Sequence, residues 1–136
     1  MRVFFDTNVL ISAFVARGLC ADVFRIVISE YDLVLGEFVL QEFQETLAKK
    51  FKFPRKEIEE LTSFLRQVEV VALPESPYAI ECPDSDDCRV ISSAILAKAK
   101  YVVTGDRHLL DLPRIMKVKI MNPRTFFDAH NQRKIR

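Results

Sequence analysis

Four carboxylates are the residues of this sequence whose positions could support catalysis. They are Asp6, Glu42, Asp87 and Asp106. Brought together in a water-poor cleft, such groups repel one another, and one would hold a proton unless a cation neutralised the charge. Oxygen ligands without His or Cys ligands nearby favour Mg²⁺ or Mn²⁺ over Zn²⁺. These ions serve phosphoryl chemistry, because they orient a water, help it lose a proton and stabilise the leaving oxygen.

The positions of the acids relative to apolar runs predict that the fold brings them together. Asp6 follows the apolar run 2–5, and Asp106 comes shortly after the run 101–103. If both runs are parallel strands, the two acids lie at the carboxyl ends of strands, where open α/β sheets bind ligands. Glu42 lies one helical turn after the apolar Phe38, so it should point partly inward. Taken singly, each acid is better explained by a helix cap, a turn or a solvated helix face, and only their joint arrangement indicates a site.

The elements that would position these acids alternate along the chain. Short apolar runs predict strands at 2–5, 32–35, 68–73, 101–103 and 118–121. Helical periodicity predicts helices at 7–18, at 19–29, through 40–51, from Pro54, after Asp87 and from Pro123. We read 74–86, which is rich in Pro and acids, as a loop. Alternating strands and helices predict an α/β fold with a five-stranded parallel sheet flanked by helices on both faces.

Composition is typical of one globular domain. The chain has 136 residues, 49% hydrophobic and 29% charged, and only 3 Gly and 6 Pro, which excludes collagen-like and disordered classes. We expect a domain over residues 1–130 and a basic tail over 131–136. The formal net charge of +1 does not indicate a polyanionic partner, but setting the four acids aside leaves 20 basic against 15 acidic residues, a balance of +5.

Neither a membrane span nor a secretory leader is expected. No stretch reaches about 18 uncharged apolar residues, and the apolar start is interrupted by Asp6 and Asn8. The cysteines, Cys20, Cys82 and Cys88, are odd in number and unrelated in spacing, so they do not indicate a disulfide framework. We expect reduced thiols and a cytoplasmic protein.

Four blocks of the sequence, in this order, resemble the PIN-domain ribonucleases. They are DTNVLIS at 6–12, the helical Glu42, PDSDDCRVISSA at 83–94 and YVVTGDRHLL at 101–110. More narrowly, they are similar to the VapC-like toxin components of toxin-antitoxin systems. The resemblance implies a Mg²⁺ or Mn²⁺ site made by the four acids. It also implies that Asn8 and Thr104 are positioning groups, and Asp84 and Asp86 remain candidates for an outer shell.

The same resemblance implies an activity and partners. The expected function is hydrolysis of RNA phosphodiester bonds by a metal-dependent endoribonuclease, the toxin of a toxin-antitoxin pair. The expected partners are the RNA substrate, a cognate antitoxin protein and a second copy of the chain in a homodimer. Two alternatives stay open, a catalytically silent PIN scaffold that binds RNA or protein, and a housekeeping RNA-processing nuclease.

Some features depart from these expectations or compete with them. Cys88 and His108 stand where relatives often carry Asp, which puts tight binding of a second metal in doubt. A phosphatase with Asp6 as nucleophile would resemble an Asp-x-Asp pattern, and position eight is Asn8. The stretch KKFKFPRK at 49–56 interleaves cations with phenylalanines, as base-stacking surfaces do, yet it also suits a helix end.

Overall fold

Five parallel strands form a single sheet. The computed structural model describes residues 1–72, 85–112 and 117–132. The strands are β1 (Arg2–Phe5), β2 (Asp32–Gly36), β3 (Glu69–Val71), β4 (Tyr101–Val103) and β5 (Lys119–Met121). Their order across the sheet is β3-β2-β1-β4-β5, with every neighbouring pair parallel. The predicted α/β fold with a five-stranded parallel sheet is confirmed.

Seven helices connect or follow the strands in the described part of the chain. They are α1 (Thr7–Val15), α2 (Leu19–Glu30), α3 (Glu37–Lys49), α4 (Arg55–Leu65), α5 (Ser85–Leu96), α6 (Arg107–Leu110) and α7 (Pro123–Asn131). Helix α1 ends before the predicted position near Gly18, because Ala16 is already extended, with φ −135° and ψ 155°. The short α6 was not predicted, since four residues are too few to show helical periodicity.

The hydrophobic core lies between the central strands and the helices on both faces of the sheet. Helix α1 packs on α2 and α3, α3 packs on α4, and α5 packs against β2. Strand β1 is buried on both sides, as expected for the middle of a parallel sheet, with Val3, Phe4 and Phe5 at 0% exposure. The core therefore fixes the position of the end of β1, and with it the residue that follows.

The strand order changes direction next to β1. The chain runs from β1 to β2 and β3 on one side, and then continues as β4 and β5 on the other side. Because right-handed crossovers send these two sets of connections to opposite faces, a crevice opens beyond the ends of β1 and β4. Val3 pairs with Tyr101 and Phe5 with Val103, so the two strands end at the same level.

Two expectations about the cysteines and the membrane can be compared with the structure. Within the described ranges, no helix is both long and apolar enough to cross a membrane. Cys20 is a free thiol, whereas Cys88 is disulfide-bonded, so the expectation of reduced thiols was wrong for Cys88. Asp84, the side chain of Asp86 and most of the expected tail at 131–136 also lie outside the described residues.

Candidate metal centre

Asp6 is held by three hydrogen bonds at the point where β1 becomes α1. As the N-cap of α1 it leaves the strand in an extended conformation, with φ −74° and ψ 160°. Its Oδ1 accepts from the backbone N–H of Thr7 at 2.8 Å. Its Oδ2 accepts from the Thr104 hydroxyl at 2.7 Å and from Asn8 Nδ2 at 3.1 Å. Since a carboxylate oxygen has two acceptor positions, Oδ1 keeps one for a further ligand.

Thr104 joins the two acids that follow β1 and β4. Its hydroxyl donates to Asp6 Oδ2 and accepts the backbone N–H of Asp106 at 3.0 Å. Asp106 is the N-cap of α6, and its Oδ1 accepts the backbone N–H of His108 at 2.9 Å. Thr104 itself is fully buried. One hydroxyl therefore fixes the relative position of two carboxylates that are far apart in the sequence.

Asn8 makes a second connection between the same two strand ends. Its Nδ2 donates to Asp6, and its Oδ1 accepts the backbone N–H of Gly105 at 2.9 Å. A Cβ on Gly105 would lie 3.3 Å from Asn8 Oδ1, so a larger residue there would push the amide away. The structure thus places Asn8 and Thr104 in direct contact with Asp6.

Burial raises the pKa of Asp6 above its ordinary value. The side chain is 7% exposed, and removing a carboxylate from water disfavours its charged form. The negative charge of Asp106 raises the pKa further, whereas the hydrogen bonds from Thr104, Thr7 and Asn8 lower it. A cation beside Asp6 and Asp106 would relieve both unfavourable effects, which makes this pair a candidate for binding one.

The four predicted acids line one cleft of about 460 Å³. Asp87, in the first turn of α5, is buried at 3% exposure, whereas Glu42 on α3 has an exposed side chain that borders the cleft. Glu42 therefore borders the cleft as expected, but its side chain is exposed and not partly buried. His108 is exposed and does not belong to the cleft lining.

The carboxylates fit a hydrated magnesium-type ion better than a closed metal cage. Across the three described ranges, no three His, Cys, Asp or Glu side chains are grouped closely enough to hold an ion together. Mg²⁺, however, keeps several waters and is usually bound through only one or two carboxylates. Asp6 Oδ1 and Asp106 would supply these two, and Asp87 and Glu42 could act through water.

Sequence reasoning missed a second group of residues in the cleft. Besides the acids, the lining includes Ser12 on α1 and Thr46, Lys50 and Phe51 on and after α3. Helical spacing gives a signal for them, because Glu42, Thr46 and Lys50 are four residues apart and so share one helix face. Lys50 and Phe51 belong to the basic stretch 49–56, but the sequence does not place that stretch in the same cleft as the acids.

Comparisons with known proteins agree with this fold. A family model described as the PIN domain matches residues 2–108. A chain in the crystal structure of VapBC2 from Rickettsia felis bound to a promoter DNA fragment is similar, with 17% identity and a TM-score of 0.65. The match covers 90% of this chain and 98% of that one.

A chain in the structure of FitAB bound to the IR36 DNA fragment is also similar. It has 16% identity and a TM-score of 0.59, over 89% of this chain and 94% of that one. No curated protein sequence matches significantly. At these identities the two solved structures establish likeness of fold alone, whereas the family model spans most of the chain. The chain therefore belongs to the PIN-domain family.

Proposed function

We propose that this chain is a Mg²⁺- or Mn²⁺-dependent endoribonuclease that hydrolyses RNA phosphodiester bonds. The observation that carries the proposal is the pair Asp6 and Asp106, joined by the Thr104 hydroxyl at the ends of two adjacent strands. Asp87 and Glu42 border the same cleft. Divalent metals are also typical of the family to which the chain belongs.

Each of the four carboxylates has a role in this proposal. Asp6 and Asp106 would hold the ion, with Asp87 and Glu42 completing its surroundings directly or through water. When bound, the ion would lower the pKa of an attacking water and stabilise charge on the leaving oxygen. One of the four carboxylates accepts the proton of that water. Displacement in line with the leaving oxygen gives a 5′-phosphate and a 3′-hydroxyl.

Cleavage of an end-labelled, structured RNA pool tests the proposal. The purified protein is incubated with Mg²⁺, with Mn²⁺ or with a chelator, and compared with Asp6→Asn and with the control Asp32→Asn. Asp32 is exposed and begins β2, at the opposite end of the sheet from the acids. We expect metal-dependent cutting that Asp6→Asn lowers by about 100-fold or more and Asp32→Asn leaves unchanged. Equal activity of Asp6→Asn and the wild type would overturn the assignment.

We also propose that the enzyme is a toxin restrained by an antitoxin protein and that it forms a homodimer. The fold likeness to chains of VapBC2 and FitAB supports this. Large apolar side chains exposed on the described surface, Ile28 and Leu96 among them, are available for such contacts. Induced expression should arrest growth for the wild type and not for Asp6→Asn, and sedimentation should give twice the monomer mass.

Two alternative functions predict different results. A silent scaffold would bind RNA or protein, bind no divalent ion and cut nothing. A housekeeping RNA-processing nuclease would cut RNA in vitro, yet its induced expression would not arrest growth. A gene for a small DNA-binding protein immediately upstream would favour the toxin.

A further inference from the structure

The cleft continues well beyond the four acids. Its lining follows α1 to Ser12 and Val15 and follows α3 through Thr46 to Lys50 and Phe51. Along α3, Glu42 and Lys50 are separated by eight residues, or about 12 Å of helix. The far end of the cleft is therefore far enough from the acids to contact a different part of a bound polymer from the part that lies at the acids.

The far end has a different chemistry from the acidic end. Among the cleft residues that the structure describes, Lys50 is the single basic one. Its ammonium group lies 5.6 Å from the centre of the Phe51 ring, and the Phe51 side chain is 36% exposed. The hydroxyl-bearing residues Ser12 and Thr46 line the cleft between the two ends. A cation and an exposed aromatic ring therefore stand side by side at the end opposite the carboxylates.

The backbone fixes Phe51 at this position. Helix α3 ends at Lys49, and the Phe51 N–H still donates to the Thr46 carbonyl at 3.3 Å. The next residue, Lys52, has φ 56°, a left-handed conformation that reverses the chain. Phe53 then donates its N–H to the Leu47 carbonyl at 2.9 Å and packs against the core. The two phenylalanines of this segment therefore differ, because Phe53 anchors the helix end whereas Phe51 remains at the cleft.

We propose that Lys50 and Phe51 bind the part of a single-stranded RNA next to the bond that is cut, with Phe51 stacking on a base and Lys50 holding a phosphate. The inference rests on the proposed function and names the residues that hold the RNA beside the bond that is cut. An aromatic ring stacks on any unpaired base, whatever its identity, and a nearby cation holds the backbone. In a duplex the base faces are covered by their neighbours, so the ring would have nothing to stack on.

Binding without cleavage tests this proposal separately from catalysis. Fluorescence anisotropy of a labelled, mixed-sequence, single-stranded oligoribonucleotide is measured in chelator, over a range of salt concentrations. We expect Phe51→Ala to weaken binding by about 5- to 100-fold and Phe51→Tyr to bind like the wild type. Phe64→Ala is the control, because Phe64 is 45% exposed but lies on α4 outside the cleft.

The two adjacent lysines provide a matched comparison of charge. Lys49 borders a different groove, together with Phe53, whereas Lys50 borders the cleft. We expect Lys50→Ala to reduce the slope of log affinity against log salt concentration by about 0.7, the value for one phosphate contact on a single strand. Lys49→Ala should leave the slope unchanged.

Several results would overturn the inference. They are absence of binding by the wild type, equal slopes for the two lysine variants, a change below twofold for Phe51→Ala, and equal competition by a duplex of the same sequence. If binding behaves as expected but no RNA is cut with Mg²⁺ or Mn²⁺, the nuclease fails and the binding site stands. If RNA is cut and the variants bind alike, only this inference fails.

Discussion

A single hydroxyl, that of Thr104, organises the candidate metal centre at the scale of residues. It donates to Asp6 and accepts from the backbone of Asp106, so it acts as donor and acceptor at once. The sequence predicts that Thr104 lies near the acids, through its place in the block YVVTGDRHLL. It could not predict which group donates to which, because that depends on the register of β1 against β4 and on the turn at Gly105.

Replacing Thr104 by Val should therefore damage stability and activity together. Val has a similar shape but leaves a buried carboxylate oxygen without one donor and a backbone N–H without its acceptor. We expect a loss of about 1–3 kcal/mol in the free energy of unfolding and at least about a 10-fold loss of RNA cleavage. Urea unfolding and the cleavage assay measure the two effects. Thr104→Ser keeps the hydroxyl and should retain cleavage, and a loss as large as that of Val would contradict the bridging role.

At the scale of elements, strands and long helices were predictable from hydrophobic patterning, whereas their ends and the shortest helix were not. Strands β1 and β4 lie where their apolar runs predict, because both are buried and uninterrupted. Helix α6 is defined by the Asp106 cap and not by periodicity. Phe51 continues the apolar repeat of α3 in the sequence, yet it lies past the helix end, where its N–H bonds to the Thr46 carbonyl and the chain turns at Lys52.

An ion pair joins the end of α4 to the start of α3. Arg66 follows α4 and forms two hydrogen bonds, of 2.8 and 3.0 Å, with Glu37 at the start of α3. The arginine holds the pKa of Glu37 below its ordinary value. Because the folded-state pKa is the lower one, the stabilisation is present above the unfolded-state pKa and disappears as the pH falls through the folded-state pKa.

We expect Arg66→Ala to lower stability by less than about 1 kcal/mol at pH 7, since both side chains are about half exposed to solvent. The difference from the wild type should vanish in strongly acidic solution. Urea unfolding at pH 7 and below pH 3, with Glu37→Gln and the double variant, isolates the pair. A difference that persists in acid would mean that Arg66 acts through packing and not through the carboxylate.

At the scale of the whole molecule, the candidate site depends on the complete sheet. Asp6 and Asp106 meet only because β1 and β4 pair at the point where the strand order changes direction. The rule that ligands bind beyond strand ends predicted this meeting. The second end of the cleft was not predictable in the same way, because it requires knowing which faces of α1 and α3 oppose each other.

Binding of an ion at this junction should stabilise the whole fold. A ligand at 100 times its Kd adds about 2.7 kcal/mol to the free energy of unfolding. Each kcal/mol raises the Tm by roughly 2–8 °C. Without metal, Asp6→Asn should differ little from the wild type in stability, because the removal of a buried charge offsets the hydrogen bonds that the amide nitrogen cannot accept. With Mg²⁺ the wild type should be clearly the more stable.

Differential scanning fluorimetry of the wild type, Asp6→Asn and Asp32→Asn measures the Tm of each protein with Mg²⁺ and with chelator. Asp32→Asn should gain as much stability from Mg²⁺ as the wild type. A gain of equal size for Asp6→Asn would place the ion elsewhere.

The central position of β1 has a consequence for biosynthesis. The ribosome makes Asp6 a hundred residues before Asp106, an interval of about 5–20 s at about 5–20 residues per second. During that time β2 and β3 can pair on one side of β1, while its other side is an open strand edge and its acid stands without the second carboxylate. A polypeptide released before β4 therefore lacks two of the five strands and also lacks Asp106. The candidate site is complete only when β4 has paired with β1.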